Sequence, residues 1–146
     1  MKEKTEADAG KLAAAMVALV RAFGLHRPHE TPCGEPIPVA EAYALMDLAA
    51  GGPLNHGELA ARLQLEKSTV SRLVRQLEKR GWIARAPAGH DRRVLRIRLT
   101  AGGKRAAARL ARARHSKFDQ LLGAIPKEKR KLVLEAMSAL VAALEE

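Results

Sequence analysis

Six side chains gathered into nine residues carry the chemistry this sequence offers: Lys67, Ser68, Thr69, Ser71, Arg72 and Arg75. Val70, Leu73 and Val74 fall between them and Leu77 follows at helical spacing, so one face of the segment is apolar and the other hydroxylated and basic. Hydroxyls and guanidiniums near the N-terminus of such a helix reach base edges and phosphates, and arginine pairs bidentately with guanine. The major groove of double-stranded DNA, about 12 Å wide, admits one α-helix. Farther on, His90-Asp91-Arg92-Arg93 sets two adjacent arginines in a loop. Arg92 or Arg93 at the tip of a hairpin fits a narrow minor groove.

These side chains need elements to hold them. His56 to Leu63 reads as a short helix capped by Asn55, with Leu59, Ala60 and Leu63 facing inward. The basic helix follows four residues later, capped by Glu66 or Ser68 and stopped by Gly81. Two short helices joined by a tight turn, the second polar outside, describe a helix-turn-helix. The period then changes from 3.6 to 2. Trp82 to Arg85 is a short strand; in Val94 to Leu99 three apolar side chains point one way and Arg96 and Arg98 the other. With residues 87 to 93 as a loop, this is a two-stranded hairpin with a basic tip, a wing.

The flanks are helical. Leu12, Met16, Leu19 and Phe23 form one apolar stripe on a first helix from about Asp8 to Phe23. Four prolines make 26 to 38 a loop, and a second helix from Val39 to Ala50 ends at Gly51-Gly52-Pro53. Thr100 caps a long helix from about Ala101 to Ala124, and Pro126 opens the last, where Val133, Met137, Leu140 and Leu144 repeat the stripe. Residues 38 to 100 suffice to close a winged helix. The terminal stripes therefore pack either on the chain's own long helix or on a second copy.

A length of 146 residues fits one domain. The net charge of +10 favours a polyanionic partner, and its distribution is uneven: residues 62 to 114 hold sixteen basic and three acidic side chains. The 47% apolar content excludes a disordered basic tail, and 3% aromatics argues against stacking single-stranded bases. One cysteine, Cys33, closes no intrachain disulfide. Leu12 to Val20 is too short to span a bilayer and lacks the positive flank of a secretory signal, so the expected location is the cytoplasm, away from membranes.

Gly52-Pro-Leu-Asn-His-Gly-Glu-Leu-Ala-Ala-Arg-Leu63, then Ser68-Thr-Val-Ser-Arg-Leu-Val-Arg-Gln-Leu-Glu-Lys-Arg-Gly-Trp82, Asp91-Arg-Arg93 and Leu99-Thr100 together resemble the MarR family of winged-helix transcription regulators. The resemblance is dense over residues 52 to 103. It implies a mainly α fold with a small β-hairpin wing, in which residues 38 to 100 form the winged helix-turn-helix and residues 8 to 24 and 101 to 146 are dimerisation helices. It implies a homodimer on a palindromic operator, acting as a repressor released by a small ligand or an oxidant. By matching positions, Ser68, Thr69, Ser71, Arg72 and Arg75 would face the major groove, Arg92 or Arg93 would enter the minor groove, and Asp91 would orient the wing arginines. The family often has a further acidic residue early in the wing; Ala88-Gly89 stands there in this sequence.

Other residues invite sharper readings. His26, His29 and Cys33, with Glu30, offer a zinc-like spacing, and Cys33 alone offers a redox switch. Against both, a lone cysteine is usually a small buried hydrophobe. His56 and His90 flank the presumed DNA surface, His115 near Phe118 reads as a packed core histidine, and Trp82 reads as core. Arg105, Arg109 and Arg112 form a solvated face or an extended DNA footprint. Gly102-Gly103-Lys104-Arg105 lacks the rest of a phosphate loop, and neither a catalytic motif nor a cofactor motif is present. The expected function is a sequence-specific regulator of transcription. The alternatives are a sequence-indifferent architectural DNA binder, or a redox- or metal-sensing regulator using Cys33.

Overall fold

A computed structural model describes the backbone of the whole chain and all side chains except those of Glu3, Ala88 and Arg92. Helices α1 (Lys2–Phe23), α2 (Val39–Gly51), α3 (His56–Leu63), α4 (Lys67–Lys79), α5 (Ala101–Ala124) and α6 (Lys127–Glu145) are joined with strands β1 (Leu54–Asn55), β2 (Ile83–Ala88) and β3 (Asp91–Leu99). The chain divides into two compact units, Met1–Ala111 and Arg112–Glu146.

The first unit holds the core. Leu45 of α2, Leu59 of α3, Val70, Val74 and Leu77 of α4, and Ile97 of β3 are all fully buried. Each contributes about 1.5–3 kcal/mol relative to exposure. Ala106, Ala107 and Leu110 add one face of α5. That face comes close because of a glycine: a Cβ on Gly103 would lie 1.9 Å from the Trp82 carbonyl oxygen. Thr100 secures the same junction. Its hydroxyl donates to the Gly81 carbonyl at 2.6 Å and accepts from the Gly103 N–H at 3.1 Å, which caps α5.

The sheet has the order β1-β3-β2, all antiparallel, so a strand of two residues joins the expected hairpin. A pair that short carries no readable period. The wing also differs from expectation, since the anticipated loop over 87 to 93 is mostly strand. Only Gly89 and His90 turn the chain, with Gly89 at a φ of +53° that side chains disfavour. Ala88 pairs with Asp91 and Pro87 with Leu95, so residues 92 to 94 bulge out of β3 unmatched. Helix α1 begins at Lys2, six residues before the expected start, because Lys, Glu and Ala are good helix formers and the Thr5 hydroxyl donates to the Met1 carbonyl.

Trp82 is half-buried, packed against the core with the Arg80 guanidinium 5.0 Å above its ring. The expectation for His115 fails: it is exposed, and no residue from 112 to 146 is buried, so that unit offers no interior to receive an imidazole. Leu12, Met16 and Leu19 of α1 are exposed, as are Val133, Met137 and Leu144 of α6.

Candidate nucleic-acid interface

Helix α3 starts on a reciprocal cap. Asn55 Oδ1 accepts from the Glu58 N–H at 2.8 Å, and Glu58 Oε2 accepts from the Asn55 N–H at 3.0 Å. It ends at Gln64, which adopts the left-handed conformation (φ +53°) and turns the chain into α4. Glu66 occupies the N-cap of α4, yet among the described residues no side chain caps that end. The first-turn amides of α4 therefore keep their capacity for an outside acceptor.

On α4, Lys67, Ser68, Arg72 and Arg75 are exposed, while Thr69 and Ser71 are half-buried. Arg75 Nε donates to the Ser71 carbonyl at 3.3 Å, which lays its side chain along the helix. The Ser71 hydroxyl donates to the Lys67 carbonyl at 3.0 Å and also lies 3.0 Å from His56 Nε2 on α3. That last contact joins residues fifteen apart in sequence, and no spacing rule announces it.

In the wing, Asp91 Oδ1 accepts the Arg93 backbone N–H at 2.9 Å. Its carboxylate thus fixes the backbone of the bulge that carries Arg93, whose side chain is exposed. The Arg92 side chain lies outside the described residues. The base of the wing is clamped to α4, where Arg85 donates two hydrogen bonds to the Glu78 carboxylate. These hold the Glu78 carboxyl below its ordinary range and raise the Arg85 guanidinium.

Not every arginine in the basic third is available to a partner. Arg85 is committed to Glu78, Arg96 donates to the Pro53 carbonyl at 3.2 Å, and Arg80 sits 3.2 Å from Glu41 Oε2. Among the described residues no donor meets that buried oxygen in good hydrogen-bond geometry, so Arg80 holds Glu41 chiefly as an ion pair. Burial pushes the Glu41 carboxyl up, and Arg80 opposes the shift. Among the described residues no ion pair engages Lys67, Arg72, Arg75 or Arg93. The charge left over includes that of α4 and the wing bulge, together with Arg105, Arg109 and Arg112 on α5.

The remaining candidates disperse. His26 and His29 are exposed, Cys33 is half-buried and Glu30 pairs with Arg27 at 2.9 Å. Among the described residues no group of three His, Cys, Asp or Glu side chains is placed to hold a metal ion, so the zinc spacing is not matched in space. His90, Arg105, Arg109 and Arg112 are exposed. A cavity of about 590 Å³ opens between the end of α2, β3 and α5, with apolar walls including Leu48, Pro53, Leu99 and Ala107 and two cations, Arg98 and Lys104. Among the described residues no helix is long and apolar enough to cross a membrane.

A family model described as MarR family matches residues 36–94. A MarR-like transcriptional regulator from Thermotoga maritima is 30% identical, with a TM-score of 0.67 over 94% of this chain and 97% of that one. Streptococcus pneumoniae FabT, solved in complex with DNA, shares the fold with a TM-score of 0.75 at 16% identity, over 97% of each chain. The uncharacterized HTH-type transcriptional regulator YfiV of Bacillus subtilis is 31% identical over 101 residues, 69% of this chain, and the match spans 63% of its length.

Proposed function

The chain belongs to the MarR family of winged-helix transcriptional regulators, which are not enzymes, and from that premise we propose that it binds double-stranded DNA sequence-specifically as a homodimer and represses transcription in the cytoplasm. The observation that carries this reading is the placement of unpaired charge. Lys67, Arg72 and Arg75 stand on α4 outside any ion pair among the described residues, as does Arg93 on the wing bulge. Three other arginines are occupied in bracing the scaffold. In this reading α4 lies in the major groove. Lys67, Ser68, Thr69, Ser71, Arg72 and Arg75 face bases and phosphates, while Arg92 or Arg93 reaches the minor groove. Asp91 acts through the backbone of the bulge.

The dimer rests on the exposed stripes of α1 and α6, whose apolar side chains gain cover from a second copy. Release by a small molecule rests on the cavity beside α2 and α5, which is of the size that ligands occupy.

Selection of bound duplexes from a random pool at about 0.15 M salt tests the reading, since that salt suppresses purely electrostatic binding. The expected product is an inverted repeat with half-sites about one helical turn apart. Recovery of unrelated sequences, all released by modest added salt, would instead establish an architectural binder.

A further inference from the structure

The hydrogen bonds around Ser71 reach past the DNA-binding reading on which they depend. Ser71 has one hydroxyl proton and two neighbours, the Lys67 carbonyl oxygen and His56 Nε2, each at 3.0 Å. Two oxygens that close need a proton between them, and a carbonyl only accepts. The hydroxyl proton therefore goes to Lys67. The contact with the imidazole is then a hydrogen bond only when Nε2 carries its own proton and donates it. A hydroxyl oxygen has two lone pairs, so Ser71 Oγ is left with one lone pair and no proton to offer.

We propose that His56 is a positioning residue that makes Ser71 an acceptor-only reader of the major groove, selecting an amino base over a keto base at one position of each half-site. Adenine N6 and cytosine N4 present donors in that groove, whereas thymine O4 and guanine O6 present acceptors. A serine free to rotate satisfies either kind. Here turning only the proton toward a base acceptor breaks the bond to Lys67 and sets a lone pair against that carbonyl. Swinging the whole side chain, which His56 holds in place, breaks the second bond as well. His56 is itself well anchored, because it is the first residue of α3 and follows the Asn55–Glu58 cap directly. The first helix of the pair thus shapes specificity without touching a base, and Ser71 does the reading.

The test applies the same random-pool selection to the full chain and to S71A, H56A and H56Q. The wild-type motif is expected to favour adenine or cytosine by about fivefold at one half-site position, the scale of a single hydrogen bond. S71A should lose that preference. H56A should admit keto bases at that position and leave the rest of the motif unchanged. H56Q should keep the preference, because its amide N–H can donate to the same oxygen. An H56A protein with the wild-type preference, or one that loses affinity evenly at every position, overturns the proposal. Nitrogen-15 NMR of the free protein gives a readout without DNA: protonated Nε2 is expected, and a neutral ring protonated only at Nδ1 overturns it. A wild-type chain that enriches no motif overturns sequence-specific binding itself, whereas a motif indifferent to His56 overturns this proposal alone.

Discussion

The winged module and the terminal helices are written in the same apolar code but resolved differently. Among the described residues, every buried apolar side chain lies between Ile37 and Leu110. Helices α1 and α6 bury none, although their stripes repeat as regularly as that of α4. In α4 the stripe meets α2, α3 and the sheet, and Val70, Val74 and Leu77 vanish from the surface. In α6, Leu132 and Leu134 stay about three-fifths exposed, and Leu144 more so. Periodicity identifies the face that needs cover. It is silent on which molecule supplies it.

Substitutions in the two regions should differ in kind. The largest effect is expected inside the module: Leu59→Ala should lower the unfolding free energy by about 2–5 kcal/mol in urea titrations, since Leu59 is fully buried. Gly103→Ala should act comparably, because the new methyl collides with the Trp82 carbonyl. Next, Met137→Asp places a charge on the exposed α6 stripe. Sedimentation should show dimer dissociation promoted by about a hundredfold, some 3 kcal/mol, while the module keeps its own core. An unchanged sedimentation profile would mean that the stripe is not the dimer seam.

The two halves of the proposed DNA-facing surface should also separate. Arg72→Ala should relax base preference at one position by about 1–3 kcal/mol. Arg93→Ala should weaken binding to all sequences alike and reduce the salt slope by about one. If Arg72→Ala leaves the selected motif intact, α4 is not the reading helix. The smallest effect concerns the clamp at the wing base. Because Glu78 has its carboxyl lowered in the folded chain, its pairing with Arg85 supports stability above the ordinary carboxylate range. That support is lost as pH falls through the lowered value. Glu78→Gln should therefore cost well under 1 kcal/mol at neutral pH, the pair being partly exposed. The difference from wild type should disappear in acid.

Much of the frame was legible because it depends on local rules. Asn55 and Glu58 sit three apart before an apolar run, and they form the cap that this spacing suggests. Thr100 caps α5, and Gly51 and Gly52 close α2 as read. The wing was less legible. Local rules make its loop seven residues long, because Pro87, Gly89 and two arginines look irregular one by one. Pairing across the strands instead confines the turn to Gly89 and His90 and expels 92 to 94 as a bulge. The glycines after Thr100 could be rejected as a phosphate loop, but only the approach of α5 to Trp82 gives Gly103 its purpose.

Which segments coil, where the hairpin lies and where the basic surplus falls follow from side-chain type and from spacings within a few residues, whereas the two-residue β1 and the reach of the wing strands do not. Which charges remain available depends on how the elements pack. Arg80, Arg85 and Arg96 look like their neighbours in sequence, yet each is bound to a group that folding brings near: Glu41, Glu78 and the Pro53 carbonyl. The same holds for His56, fifteen residues from the hydroxyl it engages. Hydrogen bonds and ion pairs act over about 3–4 Å in space, and separation along the chain sets no such distance until the helices and strands have packed.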